Sequence, residues 1–247
     1  MSERVRPPAY EPPILSDYLV VRLSVREAEQ AAFERGMGAC LCFWEGEATI
    51  GWRLLFAAKA VSAHVEPERE APAREYLHVW QTPSPMNLWQ AMFKVASRSD
   101  YAALHKLVLR EEQDIMRFAS QYAPSEVVPQ KPLIALQEVD LVQDWFAVQT
   151  WQAGLAKLAR EGHAGPASWE LALALQSQTG RLRRHLQVWS FGRDDATPPD
   201  RAAWERVEAR RPADRALRLN EPGDGEPAVL RRSNFTVYTV LDYRSID

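Results

Sequence analysis

The sequence predicts an α+β fold in which two tandem ferredoxin-like βαββαβ repeats close into one α+β barrel, and three observations carry that reading. Glu75 to Thr82 (EYLHVWQT) is nearly copied by Arg184 to Phe191 (RHLQVWSF), as an internal duplication requires. Each copy follows a tryptophan-led run, Gly51-Trp52-Arg53-Leu54-Leu55 in one case and Ser168-Trp169-Glu170-Leu171-Ala172 in the other. The closing tryptophan lies 28 residues after the leading one in the first copy and 20 in the second, so an eight-residue insertion around Glu66-Pro67-Glu68-Arg69 restores the register. Finally, the order of strand-like and helix-like segments restarts after Ala123 to Pro132, a stretch with three prolines.

The domain reading follows from that boundary. Residues 1–13 carry Pro7, Pro8, Pro12 and Pro13 and form an extended lead-in, residues 14–124 the first repeat and residues 133–247 the second. With 247 residues and 46% hydrophobic content the chain can fill a sizeable core. A formal charge of -3 gives no global attraction to nucleic acid or to an anionic membrane. No apolar stretch approaches the roughly 20 residues that span a bilayer. The opening Met-Ser-Glu-Arg-Val-Arg-Pro-Pro lacks the apolar core of a signal peptide, and the expected location is the cytoplasm. Cys40 and Cys42 are too close together to staple a fold of this size. They read as free thiols, with a redox or metal pair as the alternative.

Element by element, Asp17 to Leu23 is a β-branched and aromatic strand. Ser24 and Glu27 have the spacing of a capping box, so a helix is expected from there to about Met37. The run GMGACLCFWEG, residues 36–46, fits either a helix end or a short strand. Thr49 to Ala60 and Tyr76 to Gln81 are strands, and Ser84-Pro85 opens a helix running to about Val95. After Ser99 the apolar positions Tyr101, Leu104, Val108, Ile115, Phe118 and Tyr122 keep a three-and-four spacing, which predicts one long helix with Glu111 on its stripe. In the second half, strands are expected at Leu133 to Val139, Trp169 to Gln176, from Arg184, and at Ser233 to Tyr243. Helices are expected from Leu141 to Leu158 and after Thr197-Pro198.

Two segments resemble a known family. Gln178 to Phe191 (QTGRLRRHLQVWSF) and Arg110 to Met116 (REEQDIM) are similar to stretches of the NIPSNAP family. The resemblance implies the dimeric α+β barrel superfamily, in which two tandem repeats in one chain replace a dimer of single repeats. That superfamily contains cofactor-independent oxygenases, isomerases and cyclases, haem enzymes and members without known catalysis. The longer loop before Arg74 and Pro212 within the last helix depart from the family pattern.

Strand alternation divides the two copies into faces. Leu77, Val79, Leu186 and Val188 form an aliphatic face suited to packing under helices. Tyr76, His78 and Trp80, matched by His185, Gln187 and Trp189, are then expected to point into the barrel lumen. There His185 or His78 would transfer protons, Tyr76, Gln187 and Arg22 would orient a substrate, and Trp80 and Trp189 would form walls, with Tyr238 a further candidate if it points inward. The histidines can equally be hydrogen-bonded interior residues or, as a minor alternative, one can ligate haem; no other cofactor and no metal is expected. His64, His105 and His163 show no carboxylate or cysteine at ligand spacing. No phosphate-cradling glycine loop and no Gly-Xaa-Ser-Xaa-Gly elbow occurs. The expected partner is an apolar or aromatic small molecule, with no nucleic acid and no membrane, and a homo-oligomer is left open. The competing reading is a non-catalytic interaction protein whose barrel is filled by its own side chains.

Overall fold

The computed structural model describes residues 17–46, 53–66, 71–82, 92–118, 132–141, 170–178, 184–191 and 230–246. Nine strands are described: β1 (Asp17–Arg26), β2 (Arg53–Ala60), β3 (His64–Glu66), β4 (Ala71–Thr82), β5 (Val108–Phe118), β6 (Leu133–Leu141), β7 (Glu170–Ser177), β8 (Arg184–Phe191) and β9 (Leu230–Leu241). Also described are two α-helices, α1 (Gln30–Gly46) and α2 (Ser99–His105), a helical segment at residues 92–96, and short 3-10 turns at Glu27–Glu29 and Tyr243–Ser245.

The strands form one antiparallel sheet in the order β1-β5-β7-β8-β6-β9-β2-β4-β3, and a further β1–β4 pairing closes it into a barrel with β3 appended outside the ring. Within residues 17–118 the order is β5-β1-β4-β2, and within residues 132–246 it is β9-β6-β8-β7, so the two sets occupy equivalent positions around the ring. They meet at two short seams, β5 with β7 and β2 with β9. The extra residues before the first tryptophan strand form the β3–β4 hairpin, in which Glu66 pairs with Ala71. No helix among the described residues is long and apolar enough to cross a membrane.

Closure sorts side chains into two cores. One holds Tyr18, Val20, Phe56, Leu77, Val79, Ile134, Leu136, Leu173, Leu175, Leu186, Val188 and Tyr238, drawn from strands of both halves, and lies in the lumen. The other holds Leu19, Val21, Leu23, Val25, Tyr76 and Trp80 from β1 and β4, packed under Phe33, Met37, Leu41 and Trp44 of α1. The expected faces are therefore reversed. The barrel bore takes mainly aliphatic side chains, with Tyr18, Phe56 and Tyr238 among them, while Tyr76 and Trp80 lie outside, where helices stand off the sheet and leave room.

Three other expectations change. Ser24 does not cap a helix: it continues β1, its hydroxyl lies 3.4 Å from His64 Nε2, and α1 starts six residues later. Residues 36–46 belong to α1, and Gly36 and Gly38 mark close approach, not an end. A Cβ on Gly36 would lie 2.9 Å from Leu104 Cδ1, and one on Gly38 would lie 2.8 Å from the Tyr243 carbonyl oxygen. The long helix after Ser99 ends at His105, and Val108–Phe118 is a strand. Pairing with β1 along most of its length overrides the helical spacing of its apolar residues. The helices expected at 142–158 and after Thr197 lie outside the described residues.

One end of the lumen is charged. Arg22 points inward, as the sequence reading required of a candidate, and donates from Nη2 to Glu138 Oε1 at 2.5 Å. Arg184 Nη2 reaches the same oxygen at 2.5 Å and its Nη1 lies 3.5 Å from Asp114 Oδ2, which belongs to a carboxylate that also accepts from Ser177 Oγ at 2.8 Å. Tyr238 also points inward and donates to Glu75. These bonds tie β1 and β5 to β6, β7 and β8 across the bore. Burial alone would raise the Glu138 carboxyl, but the Arg22 and Arg184 guanidiniums outweigh it and hold the group at about 2. A depressed folded value means stability that is present above the ordinary 4.5 and lost as the pH falls toward 2. Glu138→Gln is expected to lower unfolding free energy at pH 7 by about 3 kcal/mol, since Arg22 is left buried without its partner. Urea titrations across that pH range should also show a flatter acid limb than the wild type.

Candidate functional site

The helix-facing core is not completely filled. Between the outer face of β1, β4 and β5 and the overlying α1, 92–96 segment and α2 lies a cavity of about 100 Å³. Alternation places Leu19, Val21 and Leu23 of β1 and His78 and Trp80 of β4 on its floor. The helices contribute Phe33, Met37 and Trp44 from one side and Val95, Tyr101 and Leu104 from the other. Such a space takes several waters or one small ring, and its lining favours the ring.

His78 is the polar group that β1 and β4 contribute to this floor. It is 2% exposed, and burial pushes its imidazole down to about 3, so it is neutral at physiological pH. Its Nε2 is 2.7 Å from the Tyr243 hydroxyl, the ring lies parallel to Phe33 at 6.3 Å, and Trp80 meets it edge-on. Tyr243 comes from the carboxyl-terminal 3-10 turn, and burial raises its phenol well above the usual value. Gly38 lets that turn seat against α1. Beside this pair, Tyr76 donates to Glu34 Oε1 at 2.7 Å, and Lys59 reaches the same oxygen at 2.8 Å. Cys40 is buried nearby with its thiol pushed up to about 11 by desolvation, which makes it a poor nucleophile.

The mouth of the cavity is polar. His105 at the end of α2 lies 3.1 Å, Nε2 to Oε2, from Glu111 on β5, and Gln113 donates to the other oxygen of the same carboxylate. Tyr101 sits 5.8 Å from the His105 ring, its phenol raised to about 12 by burial and then by the Glu111 charge. His64 likewise has a carboxylate, Glu66, at 3.2 Å. Both contacts correct the expectation that these histidines stand alone. The Ser24, His64 and Glu66 cluster is not a nucleophile triad, since hydroxyl and carboxylate approach the same ring nitrogen and no second nitrogen is left oriented between them.

Of the substrate-site candidates read from sequence, His78 and Trp80 line the cavity, with Tyr76 beside it on the same strand face, and Glu111 and His105, named in the sequence for other reasons, line its mouth. Arg22 and Tyr238 lie in the packed lumen, separated from it by the sheet. His185, Gln187 and Trp189 lie on the face of β8 opposite to lumen-lining Leu186 and Val188, and Trp189 Nε1 donates to Gln137 at 3.3 Å. Since β4 and β8 are four places apart in a ring of eight, His78 and His185 face away from each other and cannot meet on one ligand. A haem does not fit at His78. The cavity is below the roughly 300–1,000 Å³ of sites that enclose drug-sized ligands, and the imidazole Nε2 already faces Tyr243.

No family model matches this sequence, the NIPSNAP family included, and no curated protein matches it either. Solved structures do match its shape. A provisionally named monooxygenase from Fusobacterium nucleatum superposes with a TM-score of 0.57 at 9% identity over 93% of this chain and 94% of the other. An anthrone oxidase-like protein gives 0.53 at 11% identity over 92% of each chain. A haem-binding protein from Thermus thermophilus gives 0.50 at 10% identity, over 94% of this chain and 93% of that one. The chain has an α+β barrel fold. At such identities the likeness shows the fold alone, but near-full coverage of both chains means that each of these relatives also carries the whole architecture in a single polypeptide.

Two measurements check the His78 environment. Its depressed folded value makes stability fall as the pH drops from about 6.5 toward 3, by up to about 1.4 kcal/mol per unit, and below 4.5 the loss from Glu138, held at about 2 in the folded protein, adds to it. Tyr243→Phe leaves a buried imidazole nitrogen without its partner and is expected to cost about 1–3 kcal/mol in chemical denaturation.

Proposed function

We propose that this protein binds an apolar or aromatic small molecule in the cavity beneath α1 and α2. We further propose that it acts on that molecule by cofactor-independent oxygenation, isomerisation or cyclisation. The observation that carries the reading is one neutral, hydrogen-bonded imidazole set into an otherwise apolar wall that opens onto a polar mouth. Apolar walls supply binding by desolvation, and a few convergent polar groups fix orientation. His78, held by Tyr243, gives a ligand a fixed hydrogen-bonding partner on the floor, while Trp80 and Trp44 are the walls. Shape relatives named as a monooxygenase and as anthrone oxidase-like support oxygenase chemistry on this fold.

In this reading the halves at residues 14–124 and 133–247 descend from one duplicated ferredoxin-like unit of NIPSNAP type. Their equivalent strand orders support it. His185, Gln187 and Trp189 then mark the counterpart position on the far side of the barrel. The filled lumen favours a second reading, a non-catalytic scaffold that presents its helices to a partner.

Val21→Phe separates the two, because it fills the cavity from the floor while preserving an apolar strand residue. Native mass spectrometry of wild-type protein from its own host is expected to show a small co-purifying organic molecule that the variant lacks. A wild-type chain that carries none, and whose tryptophan fluorescence no single-ring aromatic alters, supports the scaffold.

A further inference from the structure

Two histidines border the same cavity, and their surroundings differ in kind. His78 is buried in the floor, and protonating it places a charge among Phe33, Trp80 and the neighbouring apolar side chains of the cavity wall. His105 stands at the mouth with 54% of its side chain exposed. Its Nε2 faces Glu111, whose own side chain is only 18% exposed, and that carboxylate accepts from Gln113 as well. A carboxylate in this position can only accept, so His105 carries its proton on Nε2 and leaves the Nδ1 lone pair available. The titratable groups facing His105 among the described residues are Glu111 across from β5 and Tyr101 on its own helix. Tyr101 keeps its proton and does not compete as a base.

We infer that His105 is the proton acceptor of this pocket, positioned by Glu111, and that the ligand is a single-ring phenol or enol whose ring enters the apolar cavity while its acidic O–H stays at the mouth. This rests on the cavity being a ligand site. The cavity volume sets the single ring, the apolar floor sets its aromatic or conjugated character, and the imidazole–carboxylate pair at the opening calls for an ionisable hydroxyl. In the step itself the ligand O–H bond breaks and its electron pair stays on oxygen as phenolate or enolate. The proton adds to His105 Nδ1, and the resulting imidazolium is stabilised by Glu111 through the Nε2 hydrogen bond. Exposure of the ring then lets the proton pass to water. Gln113 holds the carboxylate in place, so the base is oriented before the ligand arrives.

The test uses the full chain and 4-nitrophenol, whose phenol and phenolate forms absorb at different wavelengths. Binding is read separately, by quenching of tryptophan fluorescence at Trp44 and Trp80. With wild-type protein the bound probe is expected to ionise as an acid about tenfold stronger than the free probe, the effect of a nearby cation on a phenol. His105→Gln should keep the quenching within about threefold in affinity, since the ring of the probe still fills the cavity, and should abolish the ionisation shift. Glu111→Gln should reduce the shift and move its pH profile, which a purely structural residue would not do. Circular dichroism confirms that each variant is folded, and the wild-type pH profile of the shift gives the same answer without substitution. Quenching with an ionisation shift that survives in His105→Gln overturns the assignment of the base while leaving the pocket intact. A wild-type protein that 4-nitrophenol does not quench overturns the pocket and the inference together.

Discussion

Because eight strands close on themselves, every residue of those strands faces either the bore or the outer side, and the sheet between the two compartments is continuous. The additional pairing of β1 with β4 is what imposes this. An open sheet would let a ligand site draw on both faces at an edge; here Arg22 and His78, on neighbouring strands and paired one register apart, belong to different chemical worlds. The bore holds aliphatic side chains, a few rings and ion pairs that fasten one half of the chain to the other. Among the described residues, the cavity lies where helices stand off the outer face.

That constraint explains which parts of the structure were legible in the sequence. The two tryptophan strands could be read because each is buried on both sides and rich in aliphatic and aromatic residues. The same property hid which side faced inward, since alternation distinguishes faces only when one of them is wet. Leu77 and Val79 against His78 and Trp80 gave a clear two-fold pattern, and bore width decided its direction. The strand Val108–Phe118 was concealed by Glu111, Glu112, Gln113 and Asp114, a polar run that favours neither element in isolation. Two of its carboxylates, Asp114 and Glu111, meet Arg184 and His105 in the folded chain.

The site shows the same division. His78 and Trp80 stood out as members of a repeated aromatic strand. Tyr243 could not be linked to His78 by any local rule, since 165 residues separate them. Gly36 and Gly38 looked like punctuation, yet they are the reason α1 approaches both α2 and the carboxyl-terminal turn closely enough to roof a cavity. His105 and Glu111 are six residues apart and become partners only because a helix ends and a strand begins between them.

The joints between the halves are much shorter than the pairings within them. Residues Met116 to Phe118 match three partners on β7 and Ala57 to Ala60 match four on β9, whereas β1 and β4 match along ten. Among the described residues, cross-strand pairing around the ring is therefore sparsest at these two places, where local opening of the wall is expected to cost least. Transient parting along them would admit water to the bore beside its buried arginines and carboxylates while leaving the roofed hollow on β1 and β4 undisturbed. The cylinder thus behaves as two stiff half-shells with a pair of soft hinges.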